Sequence, residues 1–249
     1  MIRNRFALDD NNQIIDIQNL TIYDRKNYIC LGCKDILRPV LGAAREKHFR
    51  HKVGAECNGE TYLHILGKRL FEHTYRSCLK NCQPFEICFK QYKVCTFCHL
   101  QGPCTIGNFN LIKYDLVLLF KEISIEELDS QFIPDITLKN PAGEVVYIEI
   151  AVSHKCSDVK LQSGKRIIEI ALKDEKDADL ILLKLLSSED KGITFHNFKN
   201  SIRGNFSSEC TKNADIVMVD NAGKRSSRRV KWYEYVQMLK NKDIHVTRL

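Results

Sequence analysis

FIPDITLKNPAGEVVYIEIAVSHKCSDVKLQSGKRIIEIA, residues 132–171, is the stretch that decides the fold. FIPDITL and VVYIEIAV are short, mostly apolar runs that read as strands. The turn KNPAGE joins them, with Pro141 and Gly143 where a hairpin wants them. SDVKLQSG then reads as a short helix ended by Gly164, and RIIEIAL as a further strand.

Upstream, ETYLHILGKRLFEHTYRSCL (60–79) has helical spacing, with Leu63, Leu66, Leu70 and Phe71 on one apolar stripe. Asn58 is placed as its N-cap, and Glu60 suits the positive end of the helix dipole. PFEICFKQYKV alternates as a strand does and runs into a cysteine knuckle at 95–104, and LIKYDLVLLF reads as another strand. FALDDNNQIIDI predicts two short strands around the turn formers Asp9 to Asn12. Downstream, DADLILLKLLSS reads as a helix, ITFHNF as a last strand, and GKRSSRRVKWYEYVQMLK as a basic tail with a helical end. The order helix, strands, helix, strand predicts an α/β fold with a mixed sheet flanked by helices. The expected organisation is a β-rich element at 1–57, a core at 58–200 with a Cys-rich insertion at about 82–104, and a basic extension at 201–249.

Composition narrows the function classes. The chain has 249 residues, 28% charged and 44% hydrophobic, which excludes disordered, collagenous and coiled-coil readings. A net charge of +7 is compatible with a nucleic-acid partner. No apolar run has the length needed to span a bilayer, and MIRNRFALDD lacks a signal peptide's apolar region, so a cytoplasmic protein without membrane partners is expected. The chain carries no P-loop, dinucleotide fingerprint or Ser-His-Asp order.

Eleven cysteines in a chain without an export signal point to metal ligands or buried thiols rather than disulfides, and the odd number agrees. Cys30, Cys33, His48 and His51 space as C-x2-C, fourteen residues, H-x2-H. Zinc wants four nitrogen or sulfur ligands, and Gly32 permits the tight turn of the knuckle. The short H-x2-H gap favours a strand-based ribbon over a DNA-reading finger helix, and Cys57 could replace one histidine. Four protein ligands would leave no open position, so the zinc would be structural. Cys88, Cys95, Cys98 and Cys104 form a second candidate zinc set, with Cys82 and His99 as competing ligands.

Asp135 and Glu149 interrupt otherwise apolar strands on either side of the hairpin turn. Adjacent antiparallel strands would set these carboxylates side by side, the oxygen donors a hard cation such as Mg²⁺ needs. Glu60, His64 and Lys68, at i, i+4 and i+8, would line one helix face opposite the Leu63/Leu70 stripe.

Pro134-Asp135 followed by Glu149-Ile150-Ala151 resembles the PD-(D/E)XK nuclease signature. The CxxC knuckle, HFRH, ETYLHILGK, PD…IEI and YIEIAVSHKCSDVKLQSGKRIIEI together are similar to the competence CoiA-like family of predicted nucleases, over roughly residues 28–200. The resemblance implies a restriction-endonuclease-like core preceded by a zinc-ribbon-like element, and hydrolysis of phosphodiester bonds in DNA, with RNA left open. It implies Asp135 and Glu149 as ligands of a catalytic Mg²⁺ (or Mn²⁺), with Glu60 as a third acidic group. The lysine expected two residues after the glutamate is Ala151 here. Lys160 occupies the family's downstream lysine position, with Lys155 and Lys165 as alternatives. His154 is an acid–base or phosphate-contact candidate, Glu169 a supporting acid, and His64, Lys68, Lys155 and Lys165 are candidate substrate contacts. Lys224, Arg225, Arg228, Arg229 and Lys231 beside Trp232, Tyr233 and Tyr235 suit phosphates and unpaired bases. Ala151 also keeps open a catalytically degenerate, zinc-containing nucleic-acid-binding protein acting in DNA processing or competence.

Overall fold

The computed structural model describes residues 3–42, 46–96, 104–199, 201–206, 212–219, 222–240 and 245–248. Its architecture is mixed α/β, with several sheets and few helices.

The chain opens with six short strands: β1 (Arg3–Asn4), β2 (Phe6–Leu8), β3 (Ile14–Asp16), β4 (Tyr28–Ile29), β5 (Ile36–Val40) and β6 (His48–His51). They form one antiparallel sheet in the order β1-β6-β5-β4-β2-β3. The expected turn at Asp9–Asn12 separates β2 from β3, and Asp9 holds it by accepting from the backbone N–H groups of Asn11 and Gln13. Helix α1 (Gly59–Asn81) follows, capped by the Asn58 side chain, which accepts from Glu60 and Thr61 N–H. At Gly67 this helix lies so close to the apolar surface beneath it that an added Cβ would sit 2.7 Å from methyls of Ile150 and Leu172.

Next come β7 (Glu86–Cys95), β8 (Cys104–Asp115), α2 (Leu116–Leu119), β9 (Glu122–Ile125), β10 (Ile136–Lys139) and β11 (Val145–Ala151). LIKYDLVLLF is therefore a strand only up to Asp115. That side chain accepts from Val117 N at 2.9 Å and Phe85 N at 3.1 Å, which starts a helical turn, and the Tyr75 hydroxyl donates to the carbonyls of Leu116 and Phe120. Then follow α3 (Asp158–Leu161), β12 (Arg166–Ala171), α4 (Asp179–Leu182), β13 (Leu185–Ser187) and β14 (Ile193–His196). DADLILLKLLSS thus splits: Lys184 takes a positive φ of 59°, and the following residues form β13, parallel to β7 with Leu186 opposite Ile87. Strand pairing outweighs helix propensity in so short an apolar run.

The central sheet runs β14-β12-β11-β10-β9. β11 is antiparallel to β10 and parallel to β12. Ile136, Leu138, Ile148, Ile150, Ile168 and Ile170 are all buried on one face, and Tyr147 and Ile167 are buried on the other. Strands buried on both faces carry near-continuous apolar runs, and Glu149 and Glu169, directly opposite each other in the β11–β12 ladder, are the acidic residues within β11 and β12.

ITFHNF is not the last strand. The chain continues with β15 (Ser201–Gly204), β16 (Asn213–Val219), β17 (Arg225–Lys231), α5 (Trp232–Lys240) and β18 (His245–Arg248), so the basic tail is strand before it is helix.

Two compact units result: Met1–Cys88 with Lys113–Phe198, and Phe89–Ile112 with Lys199–Leu249. The expected boundary at residue 57 does not separate compact bodies. The Arg5 N–H donates to Glu175 at 2.8 Å, Tyr62 donates to Glu175, and the Arg5 guanidinium reaches Asp16 at 2.6 Å and Asp179 at 2.7 Å, so the first sheet is stitched into the core. The Cys-rich segment joins the C-terminal segment instead. β15 pairs with β7 over Tyr92–Cys95, and Cys95 is buried with Ala214, Ile216, Val230, Trp232, Tyr235 and Val236. None of the described helices is long and apolar enough to cross a membrane.

Candidate functional site

Two side-chain groups in the first unit have the chemistry of a site. The first is Cys30, Cys33, His51 and Cys57, whose ligand atoms all lie within 4.8 Å of one another. Cys30 and Cys33 come from the knuckle between β4 and β5, His51 from the end of β6, and Cys57 from the loop leading into α1. The Cys30 and Cys57 sulfurs are 3.7 Å apart, and the Cys33 sulfur lies 3.3 Å from His51 Nε2. Gly32 lets the knuckle lie against α1, where a Cβ would come within 3.2 Å of the Tyr62 backbone. Burial and then the neighbouring Cys30 push the Cys57 thiol up to about 12. Thiols crowded in this way resist ionising together, and a cation among them relieves the repulsion. Three sulfurs and one imidazole suit zinc, and the group could hold a structural metal of that kind.

His48 does not belong to this group. Its Nδ1 lies 2.9 Å from the Glu46 carbonyl oxygen. His48 and His51 are both on β6, three residues apart, and side chains an odd number apart on a strand point to opposite faces. Cys57 takes the fourth place.

Of the second expected cysteine set, the described pair Cys88 and Cys95 does not come together. Cys88 and Cys95 lie seven residues apart on the single strand β7, about 23 Å at the usual rise, and on opposite faces. Cys98 and His99 lie outside the described residues, as does the side chain of Cys104. Cys82, exposed at the left-handed C-cap of α1, ends the helix.

The second group surrounds the start of β10 and the end of β11. Continuing the β10–β11 register by one residue sets Asp135 opposite Glu149. The Asp135 carboxylate accepts from Ile150 N at 2.8 Å; its Oδ2 is 3.1 Å from His64 Nε2 and its Oδ1 is 4.0 Å from Lys68 Nζ. Burial opposes its ionisation, but the His64 contact, the Ile150 N–H and the Lys68 charge together hold it below the usual carboxylate range. Lys160, in the last turn of α3, donates to both Glu149 oxygens at 2.9 Å. Burial still keeps the Glu149 carboxyl above its ordinary value, helped by the negative charge of Asp135 and opposed by Lys160. Beside it, Glu169 accepts from Cys156 N at 2.8 Å, fixing the loop that carries α3 over this sheet face.

A cleft of about 280 Å³ is lined by Glu60, His64, Ile150, Ser153 and His154 among others; Asp135 touches it through His64, and Glu149, Glu169 and Lys160 do not line it. The Ser153 hydroxyl donates to Glu60.

The remaining candidates part company. Lys68 lies beside the site, 4.0 Å from Asp135, but it is buried and paired with Glu126 at 2.5 Å rather than open to a substrate. Lys165 turns away to Asp129, 3.2 Å off, and lies over the Tyr147 ring. Lys155 and His154 are exposed. Of Lys155, Lys160 and Lys165, only Lys160 bonds to Glu149 among the described residues. Sequence reasoning missed Glu126 and Ser153, whose spacing gives no signal; each matters only through a contact made in three dimensions.

No protein-family model, curated protein or solved structure matches this chain.

Proposed function

We propose that the first unit is a metal-dependent nuclease with a restriction-endonuclease-like core, similar to the CoiA-like family, that hydrolyses phosphodiester bonds in DNA. The observation that carries the reading is Lys160 Nζ at 2.9 Å from both Glu149 oxygens, beside Asp135. It supplies from a helix the cation that Ala151 cannot supply from the strand. The alternation of β10, β11, α3 and β12 between α1 and the later elements supports the fold assignment.

Asp135 and Glu149 would hold Mg²⁺ (or Mn²⁺). Their hard oxygen donors suit it, and the burial that raises Glu149, with a smaller part from the Asp135 charge, is the kind of cost a shared cation offsets. When bound, such an ion activates a water and neutralises charge on the phosphodiester. Lys160 stabilises negative charge developing beside Glu149. His64, oriented by Asp135, and His154 present imidazoles to the cleft, where they can contact a phosphate oxygen or take up a proton. Glu60, oriented by Ser153, adds a third carboxylate at the rim.

The test is cleavage of single- and double-stranded DNA and RNA with Mg²⁺ or Mn²⁺, comparing the intact chain with Asp135→Ala, Glu149→Ala and Lys160→Gln. Metal-dependent cutting should disappear in the first two and fall roughly 100- to 1,000-fold in the third, as when one preorganised charge stabiliser is removed. Cutting that survives both carboxylate substitutions overturns the reading. Ala151 favours a second reading, a catalytically degenerate nucleic-acid-binding protein. That reading predicts binding without cutting, unchanged by Asp135→Ala.

A further inference from the structure

The two compact units divide the charge of the chain very unevenly. Phe89–Ile112 with Lys199–Leu249 contains 13 Lys and Arg against 5 Asp and Glu, or +8. The remainder contains 25 against 26, or −1. The entire positive excess of the protein therefore sits in the unit that lacks the carboxylates discussed above.

Two features of that unit show what the charge is set to meet. β17 forms an edge of the sheet β17-β16-β18 and is exposed at every residue but Val230, with Arg225, Arg228, Arg229 and Lys231 along it. Of these four, Arg229 alone pairs with an acid among the described residues, Asp215 at 3.3 Å on the next strand. Elsewhere in the unit, Tyr92 and Phe109 are 41% and 42% exposed, with ring centroids 5.9 Å apart in an edge-on pair. The Lys90 ammonium lies 4.5 Å from the Phe109 ring centre. Large aromatic rings left this open beside a cation suit a ligand that is flat and apolar at one end and anionic at the other. Edge strands are often protected from pairing by a few charges; that function requires neither a whole unit at +8 nor exposed aromatic rings.

We infer that this second unit is a binding module for single-stranded nucleic acid, with β17 holding phosphates and the Tyr92/Phe109 pair stacking unpaired bases. The inference rests on the nuclease reading only for the fate of the strand: it names the substrate class, and it can stand or fall separately. A duplex offers phosphates but hides its base faces, so the exposed rings select single strands.

The experiment uses the full chain carrying Asp135→Ala and Glu149→Ala, so that nothing is cut, and a fluorescein-labelled single-stranded DNA oligonucleotide followed by anisotropy. Tyr92→Ala/Phe109→Ala should weaken binding roughly 5- to 100-fold, the usual range for removing a stacking platform. Arg225→Gln/Arg228→Gln should lower the slope of log affinity against log salt by about 1.4, or about 0.7 per phosphate contact on a single strand. Both variants alter exposed side chains, and circular-dichroism melts confirm that they fold. Unchanged affinity and slope in both variants, or tighter binding of the matching duplex, overturns the inference. Cutting by the intact chain together with that result leaves the nuclease reading standing; binding as described without cutting by the intact chain does the reverse.

Discussion

Replacing Cys57 and His48 one at a time separates the metal group drawn from spacing from the one drawn in three dimensions. The ligand atoms of Cys30, Cys33, His51 and Cys57 lie within 4.8 Å of one another, whereas His48 is engaged with the Glu46 carbonyl oxygen. A zinc present at a thousand times its dissociation constant stabilises the folded chain by about 4 kcal/mol. In a unit of roughly 170 residues, each kcal/mol shifts the melting temperature by about 2–4 °C. Cys57→Ala should therefore lose the ion and melt about 8–16 °C lower, the same fall that a chelator produces in the intact protein. His48→Ala removes one hydrogen bond worth about 1 kcal/mol, so it should keep one zinc per chain and melt only about 2–4 °C lower. The assay is zinc content by atomic emission on gel-filtered protein, beside calorimetric melts with and without chelator. Zinc lost in His48→Ala and retained in Cys57→Ala would refute the strand-face reasoning.

Three further outcomes are expected. Gly67→Val should cost about 2–3 kcal/mol in urea unfolding, because even a Cβ meets the buried Ile150 and Leu172 methyls at 2.7 Å; an unchanged midpoint would mean that α1 does not press on β11. Lys160→Met leaves Glu149 buried without its cation. A carboxyl whose folded value is raised contributes stability that is present below its unfolded value and lost as pH rises through the folded one. Without Lys160 that value rises further, so the variant should be nearest to wild type at pH 5 and up to about 3–5 kcal/mol weaker at pH 8; equal losses at both pH values would sink this. For Asp135 the sign is opposite. Its depressed folded value contributes stability above the unfolded value that is lost as pH falls through the folded one. Asp135→Asn should thus be about 1.5–3 kcal/mol less stable than wild type at pH 7 and converge with it in strong acid, as read by chemical denaturation across pH; a constant difference would contradict it.

Elements whose signals are local were legible in the sequence. The stripe and N-cap of α1, the turn between β2 and β3, and the β10–turn–β11–α3–β12 run all follow from residue type and spacing within one segment. The pairing of Asp135 with Glu149 follows too, since a hairpin turn fixes its own register. One missed point was readable: if HFRH is a strand, H-x2-H cannot offer both rings to one ion. The helix read over DADLILLKLLSS failed because a short apolar run fits either period, and β7 settled it by offering a parallel edge.

Sequence alone thus determined the mixed α/β class, the knuckle and the two strand carboxylates, because backbone periodicity and turn chemistry act between near neighbours. Tertiary structure decided which partners they meet. Cys57 reaches the sulfurs of a knuckle more than twenty residues earlier, Lys160 rather than Lys155 or Lys165 bonds to Glu149, and Lys68 is buried in a pair with Glu126. The +8 unit is assembled from two segments far apart in the chain, so its charge becomes visible only once Cys95 is buried among Trp232, Tyr235 and Val236. Such contacts are chosen by packing across the fold, where burial makes an unpaired charge costly, and no spacing within a segment records that choice.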